Sequence, residues 1–344
     1  MKKKLLVLIM GLAMGVTACA GKTEIAEVTS TQQENSNGTQ VGAQDGSGQS
    51  QETPNDKAQE NTAQEGAAQQ TGTAQQAKLL EGFLKGEAAA KVDDNFLNLL
   101  VMYAPEYKEG SSYTLDQLVE QLRGLDEYGG LGEKEPVITY AMLQNKPGDD
   151  EDERGMAVAI EFQPDYDTFR FIYVLNEEDG ELELKLAIDS WSRNWVSVNN
   201  YGVVEQSGSG GAAYHIGAVY VPDEFTYQEL EHWAEVGVGF TFDPTDGDKV
   251  ETVNTIITEW AEQAADNESF YDVVFAESTI GDKAYYTYFA PDEAMQNKID
   301  ELAAKYNFRF DAQDAVDAAK AERAKLLDAE SIYESHDEVS WTRL

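Results

Sequence analysis

Hydrophobic and polar positions along this chain change period more than once. Leu79, Leu80, Phe83 and Leu84 open a helical stripe, and residues 96–102 form a second apolar run ahead of Pro105, read here as helix as well. Thr114 with Gln117 has the spacing of a capping box, and behind it Leu115, Leu118, Val119 and Leu122 recur on one helix face. After Pro136 the period falls to two. The runs "VITYAML", "MAVAIEF", "FRFIYVL" and "ELELKLAI" read as strands separated by turn-rich pieces. In the last of them Leu182, Leu184, Leu186 and Ile188 alternate with Glu181, Glu183 and Lys185, which predicts one buried and one wet face and therefore an antiparallel meander.

The alternation continues through "VSVNNYGVVEQ" and "AAYHIGAVYV", so the glycine-rich stretch between them reads as a flexible turn whose glycines supply positive φ. Beyond Pro222 the pattern is mixed. Thr226 and Glu229 suggest a second capping box, with Leu230 and Trp233 on the helix behind it, and "GVGFTF" reads as a strand. Val250, Val253, Ile256, Ile257, Trp260 and Ala264 mark an amphipathic helix. A hairpin turns at "TIGD", and helices from about Asp292 to Tyr306 and from Asp311 to about Tyr333 close the sequence. This grouping predicts an α+β fold, an antiparallel β-meander sheet packed with flanking helices. Residues 78–223 carry helices and meander and residues 224–344 an α+β part; the pattern leaves open whether they are one domain or two.

The amino terminus has a different character. A basic start is followed by an apolar run from Leu5 to Val16 and the small residues of "VTAC". These residues resemble the lipobox of bacterial lipoproteins. The resemblance implies a signal peptide over 1–18, recognition through Val16, Thr17 and Ala18, and lipidation of Cys19, the one cysteine of the chain. With that thiol acylated, disulfides, thiolate catalysis and cysteine metal sites are excluded. From Cys19 to residue 77 the composition is rich in Gln, Thr, Gly, Asn and Ser, too poor in large apolar residues to order itself, and reads as a disordered tether. The expected location is the cell membrane, lipid-anchored and facing the extracellular side.

The formal net charge is −39, from 64 acidic and 25 basic residues. Such a surface repels nucleic acid and anionic lipid, so the membrane is a partner only through the anchor. No cofactor is expected. The stretch "QSGSGGAAYH" is not a phosphate cradle, because strand rather than helix follows it, and it lacks the GxSxG of a nucleophile elbow. With three histidines and no HExxH, a zinc site is not expected. Asp149, Asp150 and Asp152 are weak candidates for calcium, but their spacing is not that of a calcium loop and a solvated acidic turn is the simpler reading. The segment "DSWSRNW" is the stronger surface candidate. If the alternation ran on, Trp191 and Trp195 would share the wet face; if Ser190 to Asn194 is a turn, they fold back. Tyr214 and His215 lie a strand or two away and complete the candidate contact set.

The order of lipobox, Gln/Ser-rich tether, "YTLDQLVEQL", acidic loop, "DSWSRNW" and "NNYGVVEQSGSGGAAYH" is similar to that of uncharacterised cell-surface lipoproteins of gut Gram-positive, Clostridia-type bacteria. That resemblance implies location and architecture and brings no activity. Two function classes remain: a non-catalytic surface module that binds a glycan or protein partner, which is the preferred reading, and an extracellular glycan hydrolase built on two carboxylates.

Overall fold

The computed structural model describes residues 77–100, 105–124, 131, 134–147, 155–164, 167–178, 180–211, 213–223, 226–243, 248–264, 272–335 and 337–344, all within one unit, Glu65–Leu344. Cys19, the tether and Asp149, Asp150 and Asp152 lie outside the described residues.

The chain opens with helix α1 (77–84), strands β1 (Ala90–Leu99) and β2 (Ser112–Tyr113), and helix α2 (Leu115–Arg123). Thr114 caps α2: its side chain accepts from the Gln117 amide while the Gln117 side chain accepts from the Thr114 amide, as the sequence predicted. Strands β3 (Val137–Met142), β4 (Met156–Phe162), β5 (Phe169–Glu178) and β6 (Glu181–Ser190) then form a meander. With β1, β2 and β13 (Thr342–Arg343) they make a seven-stranded sheet of order β13-β3-β4-β5-β6-β1-β2, in which β1 runs parallel to β6. Strands β7 (Asn194–Val198), β8 (Val204–Gly211), β9 (Tyr214–Pro222), β10 (Tyr227–Val236), β11 (Val274–Ile280) and β12 (Lys283–Phe289) form a second sheet, antiparallel throughout and ordered as the chain runs. Helices α3 (Asp248–Ala264), α4 (Glu293–Lys305) and α5 (Gln313–Leu326) complete the described elements. The α+β class with an antiparallel meander and flanking helices therefore holds.

Both faces of the first sheet are buried, which corrects the expectation of one wet face. Met156, Val158, Ile160 and Phe162 with Phe171, Tyr173 and Leu175 pack under Phe83 of α1 and Leu118 and Leu122 of α2. Their neighbours Ala157, Ala159, Ile172 and Val174 face Val196, Val198, Val204, Ala218 and Tyr220 of the second sheet. Strand β6 contributes to both layers because its alternation breaks at Lys185. Val174 pairs with Leu186 and Leu175 with Leu184, so Lys185 is a bulged extra residue. Leu182 and Leu184 thus belong to the helix-covered core, whereas Leu186 and Ile188 enter the core between the sheets.

Four further expectations give way. Of the run 96–102, read as helix, residues 96–99 are the end of strand β1, which has an irregularity between Val92 and Leu97 where it passes Lys185. Residues 227–236, read as a capped helix, are strand β10; a bulge at Leu230 gives its buried positions a helix-like spacing. "GVGFTF" is loop, and the last helix ends at Leu326 and is followed by turns. Asn199 pins that tail: its amide donates to the carbonyls of Ile332 and Ser335, and its oxygen accepts from the Tyr201 and Val203 amides.

Candidate functional site

The chain crosses from the first sheet to the second within "DSWSRNW". Ser192 and Arg193 form a tight turn closed by reciprocal backbone bonds between Trp191 and Asn194, and the Ser190 hydroxyl donates to the Asn194 carbonyl. The turn separates the two tryptophans. Trp191 packs half-buried against the helix-covered core, while Trp195 on edge strand β7 is 51% exposed.

Register then decides what surrounds Trp195. It pairs with Ser207, Ser207 with Gly217, Gly217 with Trp233 and Trp233 with Ser278. Residues directly opposite one another share a sheet face, so these five form one row across β7 to β11. The next row on the same face runs from Ser209 through His215, Glu235 and Ala276 to Thr287. The face lies opposite the layer formed by Val196 and Ala218, which packs on the first sheet. Apart from Gly217 and exposed Trp195, these residues are half-buried. At one end the face is covered by α5, where Lys320 pairs with Glu231 at 2.6 Å and Val316 packs on Ile280 and Tyr285. The rest is open, out to Phe289 on edge strand β12, which is 65% exposed.

Trp233 is held in this surface by its neighbours. Its Cε2 and Cζ2 atoms cover Gly217, leaving no room there for a side chain. With strands spaced about 4.8 Å apart, Trp195 and Trp233 are three strand steps apart, about 14 Å between backbones; because the Trp233 ring leans back over β9, the aromatic surfaces stand about 10 Å apart. The glycine-rich stretch is strand rather than flexible turn: β8 runs to Gly211, and Gly208, Gly210 and Gly211 do not adopt positive φ. Their smallness serves close approach instead. A Cβ on Gly208 would stand 3.3 Å from Asn194 Oδ1, and one on Gly210 would stand 2.5 Å from the Tyr214 ring.

Of the four residues singled out in the sequence, the structure brings Trp195 and His215 onto one face. Tyr214 points to the opposite side, half-buried and stacked on Phe240 with ring centroids 6.1 Å apart, and Trp191 belongs to the first sheet. Trp233 was missed, because its segment read as helix.

A second cluster lies in the first sheet. Lys185 Nζ donates to Asp93, to Glu178 Oε2 at 2.7 Å and to Glu183 Oε2 at 2.7 Å. The Lys185 and Asp93 side chains are only 6% and 8% exposed. The three carboxylates have oxygens within 4.8 Å of one another, and the cation they enclose is the chain's own ammonium. Burial pushes Asp93 up, but the Lys185 ammonium and the Asn95 amide outweigh it and hold the carboxyl below its usual range. Glu183 is pushed up, by burial first and by the Asp93 and Glu178 charges, against the pull of Lys185.

No family model, no curated protein and no solved structure matches this chain.

Proposed function

We propose that the protein is a lipid-anchored, non-catalytic module on the extracellular side of the cell membrane that binds a neutral glycan through the open face of the second sheet. The observation that carries this reading is the row Trp195–Ser207–Gly217–Trp233. Two indole surfaces separated by small residues make a flat platform. Sugar rings present C–H faces that stack on such surfaces, while Ser209, His215, Glu235 and Thr287 offer hydrogen-bonding groups to hydroxyls at the margin. The net charge of −39 argues against anionic polymers and for an uncharged chain. A hydrolase needs two carboxylates open to a ligand, whereas the cluster of Asp93, Glu178 and Glu183 is engaged by Lys185.

The test is a glycan and peptidoglycan array with the full chain in detergent, run beside Trp195→Ala and Trp233→Ala. Binding to neutral glycans that falls in both variants is the expected result; equal binding by wild type and variants, or none at all, overturns the ligand assignment. The anchor has its own arm. Cys19→Ser is expected to move the protein from the membrane fraction to the medium, and retention on the membrane would remove the lipidation reading.

A further inference from the structure

Burial of a lysine against a carboxyl group carries its own chemistry. Lys185 Nζ is a nucleophile whenever it lacks its third proton, and it lies against the carboxyl of Asp93 on the adjacent strand in a nearly water-free position. The pair sits where neither strand is regular. Lys91 pairs with Glu183 and Val92 with Leu184, so Asp93 and Lys185 are the next positions on each strand, both released from the ladder by the irregularity in β1 and the bulge in β6. Both side chains therefore stand outside the regular ladder with each other as partner. Glu183, two residues before Lys185, adds a carboxyl 2.7 Å from the same nitrogen.

We propose that Lys185 and Asp93 condense to an intramolecular amide, with Glu183 as the proton shuttle. The ammonium first passes a proton to the Asp93 carboxylate, giving an amine and a carboxylic acid. The nitrogen lone pair attacks Cγ of Asp93, and the new N–C bond forms as the carbonyl π bond opens. Glu183 gives its proton to the departing hydroxyl and takes one from the nitrogen, so that it ends as it began. The C–O bond breaks, water leaves, and the ammonium and carboxylate have become an amide and one water with no change in charge and no oxidant or co-reactant.

Three circumstances favour the reaction. Fixed geometry replaces an encounter, and well-oriented intramolecular groups reach effective concentrations on the order of 10⁵ M or more. Burial disfavours the charged pair relative to the neutral amide. Glu183 holds a proton more readily than an ordinary glutamate, because burial and two neighbouring acids push it up. The same acids keep Lys185 charged most of the time. That makes the neutral pair a minor species and the reaction slow. A single turnover in the life of the molecule suffices. The link would join β1, the first described strand, to β6 in the interior of the sheet.

Tryptic mapping of the full chain by mass spectrometry tests this directly. Linked protein is not cut after Lys185 and yields a branched species of residues 92–108 and 171–193, one water lighter than the two together. Recovery of 92–108, 171–185 and 186–193 as linear peptides at their unmodified masses overturns the proposal. In the variants, Glu183→Gln is expected to lose the branched species and Glu178→Gln to keep it. A branched species that persists in Glu183→Gln removes Glu183 from the mechanism. Because the wild-type map is read on the native protein, the result does not depend on any variant folding, and it is independent of glycan binding.

Discussion

The indole of Trp233 occupies the space that a side chain at position 217 would need. A Cβ on Gly217 would stand 2.4 Å from Trp233 Cε2 and Cζ2 and 2.7 Å from the Gln206 carbonyl oxygen. Gly217→Ala therefore displaces the ring and presses on backbone that cannot yield cheaply. The expected outcome is a loss of stability of about 1–3 kcal/mol, a shift in tryptophan emission and weakened glycan binding, measured by thermal unfolding, fluorescence and a binding isotherm. An unchanged emission spectrum would show that the ring does not rest where the structure has it.

Trp195 separates binding from stability. Being 51% exposed, it contributes little to the fold, and Trp195→Ala should leave stability within about 0.5 kcal/mol of wild type. Affinity for a neutral glycan should fall roughly tenfold, the equivalent of about 1.4 kcal/mol. Because the contact is uncharged on the ligand side, raising the ionic strength from about 0.1 to 1 M should leave wild-type affinity unchanged. A steep salt dependence would point to a charged partner.

Asn199 ties the β7–β8 connection to the carboxy-terminal segment through two donated and two accepted hydrogen bonds. Asn199→Asp keeps the acceptors but removes the donors to Ile332 and Ser335, and sets a carboxylate beside their carbonyls. Destabilisation on the order of 1–3 kcal/mol is expected, with faster amide exchange concentrated in residues 327–344. Uniform acceleration across both sheets would show that the tail is not a separable unit.

Several phenols should resist ionisation in the folded protein. Burial pushes Tyr227 and Tyr220 well above their ordinary value, and Tyr173 is raised by burial and by its pairing with Tyr107. Tyr288 is pushed up to about 12 by burial and by its hydrogen bond to Asp300. A phenol whose folded pKa exceeds its unfolded value adds stability below the unfolded value, and that stability is lost as pH rises through the folded one. Stability should hold to about pH 10 and then decline toward pH 12, with tyrosinate absorbance rising together with loss of circular dichroism. Full phenol titration with the fold intact would contradict these assignments.

Legibility in the sequence followed the range of the forces involved. Helices α2, α3 and α4 could be read because their caps and stripes are local: Thr114 with Gln117, Val250 to Trp260, and Asp292, whose side chain accepts from the Met295 amide. The β11–β12 hairpin was equally visible around Gly281, which adopts positive φ. Strand β10 was not, because its Leu230 bulge spaces buried residues like a helix and Thr226 with Glu229 imitates a cap. Lys185 misled for a related reason. An unbroken alternation in sequence hid a bulge that only pairing with β5 defines. The candidate face was half legible: Trp195 and His215 could be named, but their placement with Trp233 depends on register across four strands, and register is a long-range property.

The position of β1 has a consequence for how the protein assembles. Its ladder partners on β6 lie about ninety residues further along, Lys91 opposite Glu183 and Leu97 opposite Leu186, whereas β3 to β6 pair each with the next in sequence. During synthesis the first strand has only the short β2 to pair with until the sixth has emerged. Local contacts favour early formation of the meander, and docking of β1 onto β6 is expected to be the late, slow step that closes the first sheet.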